Sequence, residues 1–255
     1  MELDVAVLPR DVIEPEGSVC IVIDALRATS TIATVLARGA SRVIVAGTID
    51  EARGLREELP DALLCGEVGG LPPNGFDHGN SPVEFEGLDL AGRTLVLATS
   101  NGTRALSGLR AARAVLAGSL LNLSACARLA AAAATAHGAL TVVCSGTELG
   151  TRFSLEDTVV AGAFVERLAG ASEGGRTTLS DAATAALRLW RGYAERPRAA
   201  FDDAVHGRAL VRIGMAADLD RCAEVDRYAV APRLRVEDGR LVLAADATRV
   251  SLRDG

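Results

Sequence analysis

Apolar residues in the first 150 positions fall in short, nearly unbroken runs, and between the runs they recur every three or four residues. Ser18 to Asp24 (SVCIVID) is a run of strand length that is apolar at consecutive positions, the pattern of a strand covered on both faces. From Arg27 to Arg38 the spacing turns helical, with Ile32, Val35 and Leu36 on one face and Gly39 as the stop. Arg42–Ala46 predicts the next strand. Thr48 to Leu59 predicts a helix that opens on a Thr-x-x-Glu capping box (Thr48, Glu51) and ends at Pro60. Runs at Ala62–Cys65, Thr94–Ala98, Ala114–Ala117 and Ala139–Cys144 predict further strands, with helices at Thr103–Leu109 and Leu121–Ala136 between them. This alternation predicts an α/β domain, three layers (α/β/α) around a largely parallel central sheet.

The rhythm changes after about residue 150. Leu155–Ala169 and Leu179–Glu195 read as helices separated by a glycine-rich turn at Gly170–Gly175. Leu234–Val236 and Leu241–Leu243 flank Glu237-Asp238-Gly239-Arg240, a hairpin signal through Asp-Gly, and predict an antiparallel C-terminal edge on the same sheet. No Pro/Ser-rich linker and no internal repeat interrupts the chain, so residues 1–255 read as a single domain.

Composition narrows the function. The chain is 49% hydrophobic and 24% charged, enough for a substantial core. A net charge of -6 with 3% aromatic residues argues against a general nucleic-acid binder, which needs a basic face and stacking rings. No apolar run reaches the roughly 18–20 residues of a membrane span, and Met1-Glu2-Leu3-Asp4 lacks a secretion pattern, so the cytoplasm is the default expectation. The cysteines, Cys20, Cys65, Cys126, Cys144 and Cys222, form no CxxC pair and mostly border apolar runs, as small buried hydrophobes do. All 27 basic residues are arginine, which removes lysine Schiff bases and the Walker lysine from consideration.

In open α/β sheets ligands gather at the carboxyl ends of strands. The first such end gives Asp24, then Arg27 and Thr29-Ser30-Thr31 running into a helix, a set suited to an anion, although Thr29 or Ser30 as a cap and Asp24 in a turn explain the same letters. Another ends in Gly66-Glu67 and a long aperiodic loop that carries His78, Asn80 and Ser81; Glu67 reads as a metal ligand or as a solvated loop residue. Ser100-Asn101-Gly102-Thr103 suits close approach to phosphate or sulfonate oxygens, and serves equally as turn and cap chemistry. Later ends add Ser119 with Asn122, and Ser145. Glu156 and Asp157 follow Ser154 in a first helical turn, either as dipole-stabilising acids or as ligands. Together these ends fit an anionic ligand held by amides, hydroxyls and Arg27, with carboxylates gripping a hard cation such as Mg²⁺. Common phosphatase nucleophile patterns are missing: Leu26 breaks Asp-x-Asp, and six residues separate Cys20 from Arg27 where a cysteine phosphatase has five. The histidines, His78, His137 and His206, have no metal-ligand spacing.

Taken in order, several strings resemble the 2-phosphosulfolactate phosphatase family, the ComB-like proteins. They are Val22-Ile23-Asp24-Ala25-Leu26-Arg27-Ala28-Thr29-Ser30-Thr31, Gly66-Glu67, and Gly75-Phe76-Asp77-His78-Gly79-Asn80-Ser81-Pro82 with Glu84-Phe85. Asn101-Gly102-Thr103, Gly118-Ser119-Leu120-Leu121-Asn122, Cys144-Ser145-Gly146 and Phe153-Ser154-Leu155-Glu156-Asp157 complete the series. It departs from the family strings at Val68, where the family carries arginine, and at Ser100, where it carries threonine. The resemblance implies an α/β/α fold and a Mg²⁺-dependent phosphatase that hydrolyses (R)-2-phospho-3-sulfolactate to 3-sulfolactate and phosphate, on the route to coenzyme M. On that expectation Asp24, Glu67 and one of Glu156 and Asp157 bind Mg²⁺. Arg27, Thr29–Thr31, Asn80, Ser81 and Ser100–Thr103 hold the anionic groups, with direct water attack and a phospho-Asp24 both open. The partners expected are a small phosphorylated molecule and at most a second copy in a homodimer, with no nucleic acid and no membrane. The rival expectation is a non-catalytic protein that binds a small anionic metabolite on the same scaffold.

Overall fold

In the computed structural model, residues 1–13, 15–134, 138–170 and 177–246 are described. The run read from Ser18 forms β2 (Val19–Ile23), buried at every position. Cys20 and Val22 enter one core while Val19, Ile21 and Ile23 enter another, so consecutive apolar residues serve opposite faces of one strand. The other predicted strands are β3 (Arg42–Ala46), β4 (Leu63–Gly66), β5 (Thr94–Ala98), β6 (Ala114–Gly118) and β7 (Ala139–Cys144). Two strands were not anticipated: β1 (Glu2–Ala6) and the two-residue β8 (Thr178–Leu179), which pairs with it in parallel. The C-terminal hairpin is β9 (Pro232–Glu237) and β10 (Arg240–Ala245).

These ten strands make one sheet in the order β4-β5-β3-β10-β9-β6-β2-β7-β1-β8. The hairpin is antiparallel, as expected, and lies on the edge of each parallel block, β10 against β3 and β9 against β6, so that it joins them. Three antiparallel steps set the blocks in opposite senses, and in this twisted sheet the ends of β2 and β5 nevertheless meet, Gly102 lying against Asp24.

Helices α1 (Ala28–Ala37) and α4 (Gly102–Gly108) pack into the core shared by both blocks, beside the short α3 (Pro82–Phe85). On the first block α2 (Ile49–Glu58) covers the other face through Ala52 and Leu55. Thr48 accepts from Glu51 N, while the Glu51 carboxylate reaches back to Gly47 N rather than to Thr48, a capping box displaced by one residue. On the second block α5 (Leu123–Ala134), α6 (Leu155–Gly170) and α7 (Asp181–Tyr193) form the outer layer. The chain then makes three short helices not read in the sequence, α8 (Pro197–Asp203), α9 (Val205–Arg212) and α10 (Ala216–Cys222). Past Gly170 the expected glycine-rich turn lies outside the described residues, as do Ala136 and His137. All five cysteines are buried and unbridged. No helix among the described residues is long and apolar enough to cross a membrane.

Candidate active site

A cavity of about 550 Å³ opens where the carboxyl ends of the two blocks converge, roofed by α8 and α9. Of the residues singled out from sequence, Asp24, Arg27, Glu67, Asn80, Ser100, Asn101 and Glu156 line it. They come from the ends of β2, β4 and β5, the long loop after β4, and the first turn of α6.

Asp24 sits on the floor, 6% exposed. Ala28 N donates to its Oδ1 at 3.2 Å, and Thr29 braces the turn by accepting from Asp24 N and donating to Asp24 O. Gly102 presses on the same carboxylate: a Cβ at position 102 would stand 2.6 Å from Asp24 Oδ2, so only glycine leaves that oxygen clear. Burial, opposed by the His206 charge and the Ala28 amide and reinforced by Glu67 and Glu156, pushes the Asp24 carboxyl up to about 6.

Glu67 is fixed at both oxygens, by Ser100 N at 2.8 Å and Gly70 N at 2.9 Å, which ties the root of the long loop to the end of β5. Glu156 is 3% exposed, and its carboxylate accepts no hydrogen bond from the described residues. Asn80 Oδ1 is likewise buried without a partner. Arg27 is 2% exposed and reaches Asp218 Oδ2 and the Gly70 carbonyl, each at 2.7 Å. Its charge is therefore matched inside the protein by an aspartate of α10, which also accepts from Ser81.

The remaining sequence candidates are not on the cavity wall. Ser30 and Thr31 donate to the Ala25 and Asn80 carbonyls. Ser81 caps α3, and Thr103 is locked to Thr99. Ser119 donates to Asn122, which holds the Ala117 and Val230 carbonyls. Asp157 accepts from Ala25 N at 2.9 Å and from Ser145 Oγ and Gly146 N at 3.1 Å, bracing the Asp24 turn from behind. Burial first, then the Asp24 and Glu156 charges, raise its carboxyl well above the usual range. His78 pairs with Glu84 at 2.8 Å and steadies the long loop. Val68 is 59% exposed and does not line the cavity.

Sequence reading missed the roof. Asp203, Val205 and His206 line the cavity, as do Glu148 and Arg152 at its mouth. Asp218 holds Arg27 from behind. None of the roof residues follows a strand, and α8, α9 and α10 start without a side-chain cap, so no local pattern flagged them. Five carboxylates (Asp24, Glu67, Glu148, Glu156, Asp203) face the cavity against Arg27 and Arg152, and both arginines are paired with carboxylates. No three His, Cys, Asp or Glu side chains among the described residues stand close enough to form a ready-made metal cage. The donor set nevertheless fits Mg²⁺: it consists of hard carboxylate oxygens, and Glu156, a largely buried residue, turns a carboxylate with no protein donor to the cavity beside a second acid. Mg²⁺ needs only one or two protein carboxylates because it keeps waters and takes substrate phosphate.

An α/β/α sheet with an acidic cavity at its strand ends defines a class of small-molecule enzymes or binding proteins. Comparison with known proteins narrows it further. The family model described as 2-phosphosulpholactate phosphatase matches residues 7–237, and the chain belongs to that family. Similar proteins named probable 2-phosphosulfolactate phosphatase occur in Carboxydothermus hydrogenoformans (37% identical, covering 95% of this chain and 97% of that one) and in Synechococcus sp. CC9605 (41% identical, covering 92% and 95%). Another, in Deinococcus radiodurans, is 40% identical over 85% of this chain and 87% of its own.

Proposed function

We propose that the protein is a Mg²⁺-dependent phosphomonoester hydrolase that converts (R)-2-phospho-3-sulfolactate and water to 3-sulfolactate and phosphate. Family membership supports the reaction class. The observation that carries the metal dependence is Glu156, a buried carboxylate without a protein donor that faces the same cavity as Asp24 and Glu67. The substrate brings phosphate, carboxylate and sulfonate, all anionic, into a cavity where acids outnumber bases. Without a cation, repulsion opposes its entry.

Asp24, Glu67 and Glu156 are the residues that would hold the ion. The chemistry Mg²⁺ supplies when bound is neutralisation of phosphoryl charge and orientation of the attacking water. The chain does the rest. Ser100 N and Gly70 N keep Glu67 from swinging away, and the Asp157 brace keeps the Asp24 turn in place. Asn80 lines the cavity, and its side-chain amide nitrogen is the group that can donate to a substrate oxygen. The roof helices cover part of the cavity, and contacts shielded from bulk water there are strengthened.

The test is phosphate release from (R)-2-phospho-3-sulfolactate. Turnover that stops with EDTA, returns with Mg²⁺ and is lost in Asp24→Asn is the expected result. Stabilisation by the substrate in a thermal melt without any phosphate release would show a binding protein instead.

A further inference from the structure

We infer that His206 is the general acid that protonates the leaving oxygen when the phosphoester bond breaks; this deepens the hydrolase reading and rests on it. His206 lies in the first turn of α9 and lines, from the roof, the same cavity as Asp24, Glu67 and Glu156. Its ring is half-buried and has no hydrogen-bond partner among the described residues. A half-exposed histidine can leave its two ring nitrogens to water or to a ligand. This one keeps both available to a ligand.

Its placement is fixed rather than incidental. A Cβ at Gly207 would stand 1.9 Å from the Phe201 carbonyl, so α9 packs backbone against α8 at the residue beside His206. The ring's charge is felt at Asp24, where it opposes the effect of burial. Both groups line the cavity of about 550 Å³, which has room for a substrate group.

The other polar residues around it suit the role less. Arg152 cannot release its proton and is paired with Glu148 at 3.0 Å. Asp203 accepts from the Tyr193 hydroxyl at 2.9 Å. Asp24, Glu67 and Glu156 lie on the side where the phosphoryl group is held. Imidazole is also the side chain that exchanges a proton most readily near neutral pH.

The step balances as follows. Water oxygen bonds to phosphorus, the bond from phosphorus to the ester oxygen breaks, and the electron pair left on that oxygen takes the proton from imidazolium. The attacking water releases one proton to solvent, from which imidazole recovers its own. The products are the secondary alcohol and hydrogen phosphate.

The experiment compares two leaving groups in wild type and His206→Gln. A secondary alkoxide needs the proton, whereas 4-nitrophenolate leaves without it. With phosphosulfolactate, kcat should fall roughly 10²–10⁴-fold, while with 4-nitrophenyl phosphate it should change less than about 3-fold. Retained nitrophenyl activity also reports that the variant is folded and loaded with metal. An equal loss on both substrates, or no loss on either, overturns the assignment. A wild type that releases phosphate from neither substrate overturns the hydrolase reading itself, and this inference with it.

Discussion

Asp24 concentrates the conflict between folding and chemistry in one carboxyl group. Its pKa in the fold, about 6, lies above the ordinary 3.8, chiefly because it is buried. A raised carboxyl contributes stability that is fully present below its unfolded value and is lost as pH rises through its folded one. Between about pH 4 and pH 6 the metal-free protein should therefore lose on the order of 2–3 kcal/mol from this group. In the Asp24→Asn variant the side-chain amide oxygen can still accept from Ala28 N, and there is no charge to desolvate. The substitution is thus expected to raise the melting temperature of the EDTA-treated protein at pH 8, to leave it nearly unchanged at pH 4, and to abolish phosphate release. Melts at both pH values decide this; a variant less stable than wild type at pH 8 would show that the carboxylate is held by attraction and not strained by burial. Arg27 shows the same economy with the opposite outcome. Its charge is taken up by Asp218, and removing either partner would leave a buried ion unmatched, which typically costs about 3–5 kcal/mol.

At the scale of elements, the hairpin of β9 and β10 decides whether the two parallel blocks form one sheet. Asp238 and Gly239 at its tip have φ of 50° and 77°, the left-handed pair that a two-residue turn demands. Gly239→Val forces a β-branched residue into that region and should lower the urea midpoint by an amount worth about 1–3 kcal/mol, whereas Gly239→Asn should cost a fraction of that. Equal midpoints for the two variants would mean that the turn does not set the pairing. The Asp-Gly signal was plain in the sequence, as were the strands from β2 to β7, because both are written locally in turn chemistry and unbroken apolar runs. That the hairpin joins two blocks was not legible, since strand order depends on contacts far apart in the chain. The same distinction holds in the site. Asp24, Glu67 and Glu156 follow strands or open a helix and could be found by position. Asp218, Asp203 and His206 sit on short uncapped helices held by buried Phe201, Leu210 and Leu219, and only tertiary packing brings Asp203 and His206 to the cavity and Asp218 behind Arg27. Conversely, Thr29–Thr31 and Asp157 carry the right letters, yet their hydrogen bonds are turned inward, those of Thr29, Ser30 and Asp157 to the Asp24 turn and that of Thr31 to the Asn80 carbonyl.

For the molecule as a whole, the three acids belong to three different parts of the chain: Asp24 follows β2 in the second block, Glu67 follows β4 in the first, and Glu156 opens α6. A single ion held among all three, directly or through its own waters, would couple the two blocks, so its binding energy would appear as global stability. A ligand that binds only the folded state at 100 times its dissociation constant adds about 2.7 kcal/mol. Mg²⁺ should accordingly raise the melting temperature of the wild type, and Asp24→Asn, Glu67→Gln and Glu156→Gln should each reduce that rise although the residues lie in separate segments. Because the groups share one partner, their effects should not add. The double variant Asp24→Asn/Glu156→Gln should lose no more of the Mg²⁺-dependent shift than the more affected single variant. Strictly additive losses would indicate separate weak sites scattered over an acidic surface, and an undiminished shift in all three single variants would place the ion elsewhere on the molecule. Non-additive loss is the signature of one centre assembled where the twisted sheet brings its two sets of carboxyl ends together.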